Sequence, residues 1–163
     1  MEKIAHAIIE HNLKPSEILN IPAILSKHSS ASFAGEWEWT SHDMDASFLE
    51  ELWNKKEIDF INNSASIEDL ALLQKDKITI DFMTPHLITF DTLLPWDIYN
   101  TDESLREEFN HLVRMVCELI KATDVAIIPD LSSLPFYDEN TDLSVNALRS
   151  KSKHNEGVFK ELP

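Results

Sequence analysis

The sequence predicts a single α+β domain with a small mixed sheet packed against helices. Two alternating stretches within residues 77–92 predict a β-hairpin, because apolar residues occupy every second position of each. Residues 102–121 have the apolar spacing of a long amphipathic helix. The continuous apolar run in residues 124–129 predicts a strand covered on both faces, and residues 36–40 are a further candidate strand. If strand 124–129 runs parallel to the second hairpin strand, the helix is the crossover between them.

The register of the hairpin follows from its pattern. Placing residues 84–86 in the loop pairs Phe82 with Ile88 and Ile80 with Phe90, which puts four apolar side chains on one face. A two-residue loop would mix apolar and polar side chains, because a one-residue slip inverts a strand. The odd-length loop leaves four polar residues together on the other face, which we expect to be partly wet: Thr79, Asp81, Thr89 and Asp91.

Helices are predicted in the other regular segments. Residues 2–13 have apolar residues at helical spacing, and a helix there would carry His6 and Glu10 on its polar surface. Pro15 suits the first position of the next helix, because its missing N–H is not needed there. The apolar residues that follow Ser66 predict another short helix.

Domain organisation is predicted to be simple. Residues 1–137 are predicted to form one domain, and a chain of 163 residues buries roughly 68–70% of its unfolded surface. Residues 138–163 contain few apolar residues, so we expect a polar C-terminal extension that is partly mobile.

The formal net charge of −15 is unevenly distributed along the chain. Residues 36–110 contain 18 acids and 5 bases, a net charge of −13, whereas the rest contains 11 acids and 9 bases. An acidic surface repels phosphate backbones and anionic lipids, so we expect no binding to nucleic acid or membranes. The charge suits a basic protein partner, and it also helps to keep a small protein in solution.

Several classes of protein are disfavoured by composition. The single cysteine, Cys117, forbids an internal disulfide and fits a reducing cytoplasm. No apolar run approaches the roughly 18 residues of a membrane span, and the N-terminus lacks an apolar signal core. Only two glycines occur, where average usage of about 7% predicts around eleven. Glycine-rich phosphate loops, dinucleotide fingerprints and nucleophile elbows are therefore excluded, and no cofactor is predicted.

Carboxylates supply the candidate catalytic residues. Asp81 and Asp91 are candidate partners, since acid–base catalysis by two carboxylates needs environments that separate their pKa values. Asp130 follows a predicted central strand, where open α/β sheets often place functional groups. With His86, these residues define one hypothesis, a small carboxylate-dependent hydrolase. An exposed sheet face and a turn-initiating aspartate are the simpler interpretations, and the absence of a nucleophile or metal motif weighs against the enzyme.

The composition favours a non-catalytic acidic protein that binds and neutralises a basic protein partner, such as a toxin or a nuclease. Acidic residues would speed encounter, and aromatic residues would anchor the interface. Bacterial immunity proteins, which block a co-encoded toxin, are similar in type, being small, acidic and without an active site, although no motif carries the likeness. A structural or regulatory subunit, forming an oligomer contact through residues 93–99, is the alternative. The predicted partner-binding residues are Glu36, Trp37, Glu38, Trp39, Asp43, Asp45, Asp97 and Tyr99.

Overall fold

The computed structural model describes residues 3–27, 31–33, 35–40, 47, 50, 71–74, 78–84, 86–130, 144–154 and 157–163. Its strands are β1 (His6–Glu10), β2 (Trp37–Trp39), β3 (Ala71–Gln74), β4 (Ile78–Thr84), β5 (Leu87–Asp91), β6 (Asp124–Ile128) and β7 (Lys160–Glu161). Its helices are α1 (Pro15–Leu19), α2 (Ile21–Ser26), α3 (Trp96–Thr101), α4 (Glu103–Ile120) and α5 (Val145–Lys151), with 3₁₀ turns at Ala31–Phe33 and Ser152–His154.

The strands form one seven-stranded sheet in the order β2-β3-β4-β5-β1-β6-β7, and helices pack against it. This arrangement confirms the predicted α+β class. Every pairing between the described strands is antiparallel, so the sheet is larger and more uniform than predicted. Strands β5 and β6 run in the same direction, because both pair antiparallel with β1, which lies between them.

The predicted helix over residues 2–13 is wrong, because His6–Glu10 is the strand β1. Ala7, Ile8 and Ile9 are all fully buried, which means that both faces of this strand are covered. A strand covered on both faces has a continuous apolar run, and periodicity cannot distinguish such a run from a short buried helix.

The predicted hairpin is confirmed with its register. Phe82 pairs with Ile88 and Ile80 pairs with Phe90, and the register shifts between Phe82 and Thr84. The predicted loop over residues 84–86 is wrong at Thr84, which lies in β4 and pairs with Leu87. The predicted pairs are kept because β4 carries an extra residue between Phe82 and Thr84.

The predicted short helix after Ser66 is wrong where the structure describes it. Ala71–Gln74 is the strand β3, in which Leu72 is buried and Leu73 is exposed. This alternation is the pattern of a strand with one covered face. Residues 51–70, with the start of that predicted helix, lie outside the described residues.

The long helix α4 begins and ends as the sequence predicts. The Asp102 carboxylate accepts a hydrogen bond from the Leu105 N–H at 3.0 Å and caps the helix. Lys121 then adopts a left-handed conformation with φ of 54°, which ends the helix. Among the described residues, none of the helices is long and apolar enough to cross a membrane.

The two faces of the sheet carry separate apolar clusters. On the first face, α4 packs against alternate residues of the central strands, including Ile80, Phe82, Ile88 and Phe90. On the second face, Ile8 and Leu87 belong to a smaller cluster that α5 covers. Its other buried members are Ala126, Ile128, Val145 and Leu148.

The C-terminal segment differs from the predicted polar extension. Val145 and Leu148 are fully buried, and β7 pairs with β6 at the edge of the sheet. The Arg149 guanidinium contacts both carboxylate oxygens of Asp124 at 2.9 and 3.0 Å and also pairs with Glu161. These contacts join α5 to β6 and β7, so this part of the segment belongs to the domain.

Candidate functional site

Polar side chains occupy one end of the second sheet face, next to the smaller apolar cluster. The register places Thr79 opposite Asp91 and Asp81 opposite Thr89, as the hairpin pattern predicts. Asp91 and Thr89 are buried, and the other two residues are half-buried. The predicted wet sheet face is therefore wrong at Asp91 and Thr89, where water is largely excluded.

His6 joins this face from the neighbouring strand and lies between two carboxylates. The His6 Nε2 atom is 3.2 Å from Asp91 Oδ2, and the His6 Nδ1 atom is 3.1 Å from Asp130 Oδ1. Both ring nitrogens can donate to these oxygens at once only when the ring is an imidazolium. The exposed side-chain fraction rises from 8% at Asp91 to 18% at His6 and 32% at Asp130. The row of three groups thus extends from the interior toward the surface.

Burial and charge act in opposite directions on the histidine. Burial alone lowers the pKa of His6, but the hydrogen bond to Asp91 and the charges of Asp91, Asp130 and Asp81 together raise it above its ordinary value. Burial, followed by the charge of Asp91, raises the pKa of Asp81, while His6 opposes that rise. The cluster of His6, Asp81, Asp91 and Asp130, called here the histidine–carboxylate cluster, holds one cationic side chain and three acidic ones.

The geometry of this cluster limits its chemistry. Because carboxylates engage both nitrogens of His6, the ring has no free nitrogen to act as a base. Asp130 is the most exposed of the groups in the His6 contacts, so it is the one best placed to meet a molecule from solution. In the part of the chain that the structure describes, no three His, Cys, Asp or Glu side chains are arranged to hold a metal ion.

Sequence reasoning identified the three carboxylates but missed His6. No alternation marks residues 6–10 as a strand, because three successive apolar residues occupy its centre. The local sequence therefore does not place His6 beside the carboxylates. His86 lies at the opposite end of β5 from Asp91, and its ring is 6.3 Å from that of His11. Its predicted place beside the carboxylates is therefore wrong.

The predicted partner-binding aromatic residues face the interior. The Trp37 Nε1–H donates to the Phe33 carbonyl at 3.0 Å, and the Trp39 ring lies 5.6 Å from that of Phe82. Both tryptophans are half-buried against the larger core. Tyr99 is buried, and its hydroxyl donates to the Asn110 side chain at 2.9 Å.

The predicted partner-binding acids that the structure describes lie on two elements, β2 with its preceding turn and α3. Glu36 and Glu38 are exposed beside α2, and Glu38 projects away from the side on which the tryptophans pack. Asp97 is exposed on α3. Asp43 and Asp45 lie outside the described residues.

A separate group of exposed acids lies on α3 and the first half of α4. We define the acidic helix surface by four residues: Asp97, Glu103, Glu107 and Glu108. Arg106, the base within this segment, is half-buried, and its Nη1 atom donates to the Tyr99 carbonyl at 3.3 Å. The four acids outnumber this base, so the surface has a net negative charge.

Comparison with known proteins adds no identification, because no family model, curated protein or solved structure matches this chain. The fold and its sites define the class: an acidic α+β protein with a partly buried histidine–carboxylate cluster and an acidic helix surface.

Proposed function

We propose that the protein is a non-catalytic acidic binding protein that neutralises a basic protein partner, and that the acidic helix surface receives this partner. The observation that carries the proposal is the concentration of exposed carboxylates on α3 and the first half of α4, where acids outnumber bases. Complementary charge of this kind raises the rate of encounter with a cationic partner.

The charge on this surface is maintained against a local cost. Glu103 and Glu107 are four residues apart on α4, and like charges at this spacing destabilise a helix by about 0.2–0.5 kcal/mol. The position of Glu103 in the first turn offsets part of this cost, because the helix N-terminus favours negative charge. Glu107, a turn further on, has less of that benefit, which supports a role in binding.

Apolar side chains lie beside these acids. Ile98 and Leu105 are 36% and 40% exposed. Asp102 links them, since its N–H donates to the Ile98 carbonyl at 2.8 Å and its carboxylate accepts from the Leu105 N–H. Protein interfaces combine an apolar centre with a polar rim, and these residues supply both. The expected partner surface is basic with at least one apolar side chain.

Neutralising the acidic helix surface is expected to slow association. The partner is first captured from the native host and identified, and its association rate is then measured by stopped flow across a salt series. E103Q/E107Q should lower the rate several-fold at low salt and flatten its salt dependence, because steering falls with the local charge.

The matched control is E36Q/E38Q, which removes the same charge from the exposed acids beside α2. This variant should retain the wild-type rate and salt dependence. Equal effects of the two variants would mean that net charge, and not the helix surface, governs encounter. A reduced rate in E36Q/E38Q alone would place docking at the predicted residues of β2 and its preceding turn.

We also propose a second candidate, a small carboxylate-dependent hydrolase, which is supported by the convergence of Asp81, Asp91 and Asp130 on His6. The raised pKa of Asp81 suits a group that retains a proton. Asp130, held by His6 and more exposed, suits the role of the base. Two carboxylates in different environments are the arrangement that acid–base catalysis requires.

A panel of ester, phosphoester and glycoside substrates tests this candidate. If the cluster is catalytic, D81N and D130N should each lower turnover by about 10²–10⁴-fold, the usual contribution of a general acid or base. E38Q, an exposed acid outside the cluster, should leave turnover unchanged. Activity that survives in both cluster variants would assign the turnover to a contaminant or another site.

A further inference from the structure

An apolar cavity of about 240 Å³ lies on the opposite side of the sheet from the histidine–carboxylate cluster. It opens between the paired helices α1 and α2 and the C-terminal end of α4. Ile80 and Ile88 of the sheet lie at its base, and each is 1% exposed. Nine of its twelve lining residues are apolar.

The mouth of the cavity is polar and balanced in charge. Glu17, Asn20 and Lys121 stand at the rim together with Ile24, which is 41% exposed. The Glu17 carboxylate accepts a hydrogen bond from the Lys14 N–H at 3.1 Å and keeps its second oxygen for other contacts. The rim carries one acid, one base and one amide, so its net charge is zero and it does not attract a charged head group. The amide and the ammonium group can both hydrogen-bond an uncharged one.

We propose that this cavity binds a small, mainly apolar molecule with one uncharged polar end, of the straight-chain primary alcohol class. Ligand sites are concave and mostly apolar, with a few polar groups that fix orientation. At roughly 30 Å³ for each water-sized group, the cavity holds about eight such groups. The chain of the ligand therefore lies against the isoleucine and leucine side chains, and its hydroxyl group lies at the rim.

The chain length of the ligand provides the first test. The full-length protein is titrated with 1-butanol, 1-hexanol, 1-octanol and 1-decanol, and the methyl NMR signals of Ile24, Ile88 and Val116 are followed. Affinity should rise about fourfold with each added methylene up to about eight carbons, since each buried methylene contributes about that factor. It should then level off, because a longer chain projects into water. The absence of saturable shifts, or equal affinities for 1-butanol and 1-octanol, would overturn the proposal.

Head-group preference provides the second test. Wild-type protein should bind 1-octanol more tightly than octanoate or octylammonium. K121N removes the base at the rim, and asparagine tolerates the left-handed conformation of this position. The ratio of octylammonium affinity to octanoate affinity should therefore rise about threefold. E17Q, which preserves the capping interaction, should lower that ratio by a similar factor. Ratios unchanged in both variants would mean that the ligand does not lie at this rim.

Occlusion of the cavity distinguishes this site from general adsorption. I24W at the exposed rim should weaken 1-octanol binding at least tenfold, and V116F should do so by filling the interior. Since V116F alters a buried residue and can unfold the chain, I24W is the primary variant. L73W, on an exposed residue of β3 outside the cavity, is the matched control and should bind as the wild type does. Equal binding by I24W and wild type would overturn the assignment.

Discussion

Replacing Asp91 with alanine is expected to lower the free energy of unfolding by about 3–5 kcal/mol, which is the usual cost of removing one partner from a buried ion pair. Asp91 is buried and has two roles. Its Oδ2 atom lies 3.2 Å from His6 Nε2, and its Oδ1 atom accepts a hydrogen bond from the Leu93 N–H at 3.1 Å. The substitution leaves the protonated ring with one carboxylate contact in a partly dry site. Denaturant unfolding at fixed pH measures the loss.

Two further variants separate charge from shape. D91N keeps an oxygen for the Leu93 N–H and removes only the charge, so it should cost less than the alanine variant. D130N removes the charge of the more exposed carboxylate on the other ring nitrogen. Its cost should stay at or below about 1 kcal/mol, because solvent screens a pair that is a third exposed. Equal losses in D91N and D130N would contradict the assignment of Asp91 as the principal partner.

The loss in the Asp91 variants should also depend on pH. The pKa of His6 is raised in the folded protein, so its ion pairs contribute stability below the unfolded-state value of 6.5. That contribution disappears as pH rises through the raised folded value. The difference between wild type and D91N should therefore be larger near pH 5.5 than near pH 9. A double-mutant cycle with H6A should give a coupling energy of about 0.5–3 kcal/mol at the lower pH. A coupling near zero there would mean that the two side chains do not form an ion pair.

The parts of the fold that the sequence predicted well carry apolar side chains on one face and polar side chains on the other. In the hairpin, alternation at Ile80, Phe82, Ile88 and Phe90 specifies the register, because a slip would expose all four residues. The helix α4 is similarly defined, since its apolar stripe, the capping Asp102 and the left-handed residue at its end agree with one another.

The central strand β1 could not be predicted in the same way. Because Ala7, Ile8 and Ile9 are all buried, the local sequence contains no alternation, and only the neighbouring strands determine its conformation. This one error concealed the candidate site. In a helix His6 would be a surface residue, whereas in β1 it lies between Asp91 and Asp130. The carboxylates were identified from their own strands, but their convergence depends on long-range pairing that a single sequence does not show.

Acidification from pH 6.5 to pH 4 is expected to destabilise the protein through His11, by about 3 kcal/mol. His11 is buried, and burial together with the neighbouring His86 lowers its pKa from 6.5 to about 4. The unfolded chain takes up a proton at His11 below pH 6.5, whereas the folded chain stays neutral until about pH 4. Stability thus falls across this interval and levels off below it. The pKa of His11 differs by about 2.5 units between the unfolded and folded states. At about 1.36 kcal/mol for each unit, this difference gives the expected loss of stability.

Hydrogen bonding explains why the ring stays neutral. His11 Nδ1 accepts a hydrogen bond from the Leu13 N–H at 3.1 Å, so the proton of the neutral ring resides on Nε2. That Nε2 atom is buried and has no hydrogen-bond partner within the described part of the chain. Protonating the ring would force the loss of the Leu13 contact and place a charge near His86. His6 acts in the opposite direction and at higher pH, because its contribution grows as the pH falls toward 6.5 and levels off below it. The two histidines are therefore tested separately.

The variant H11N isolates this effect. The amide side chain that it introduces can still accept from the Leu13 N–H, but it cannot take up a proton. The free energy of unfolding is measured with urea at several pH values. Between pH 6.5 and pH 4, its decrease for each pH unit should be smaller in H11N than in wild type by up to about 1.4 kcal/mol. H111N, which replaces an exposed histidine of α4, should reproduce the wild-type profile. Parallel profiles for wild type and H11N would mean that folded His11 takes up its proton as readily as the unfolded chain does, and hence that water reaches the ring.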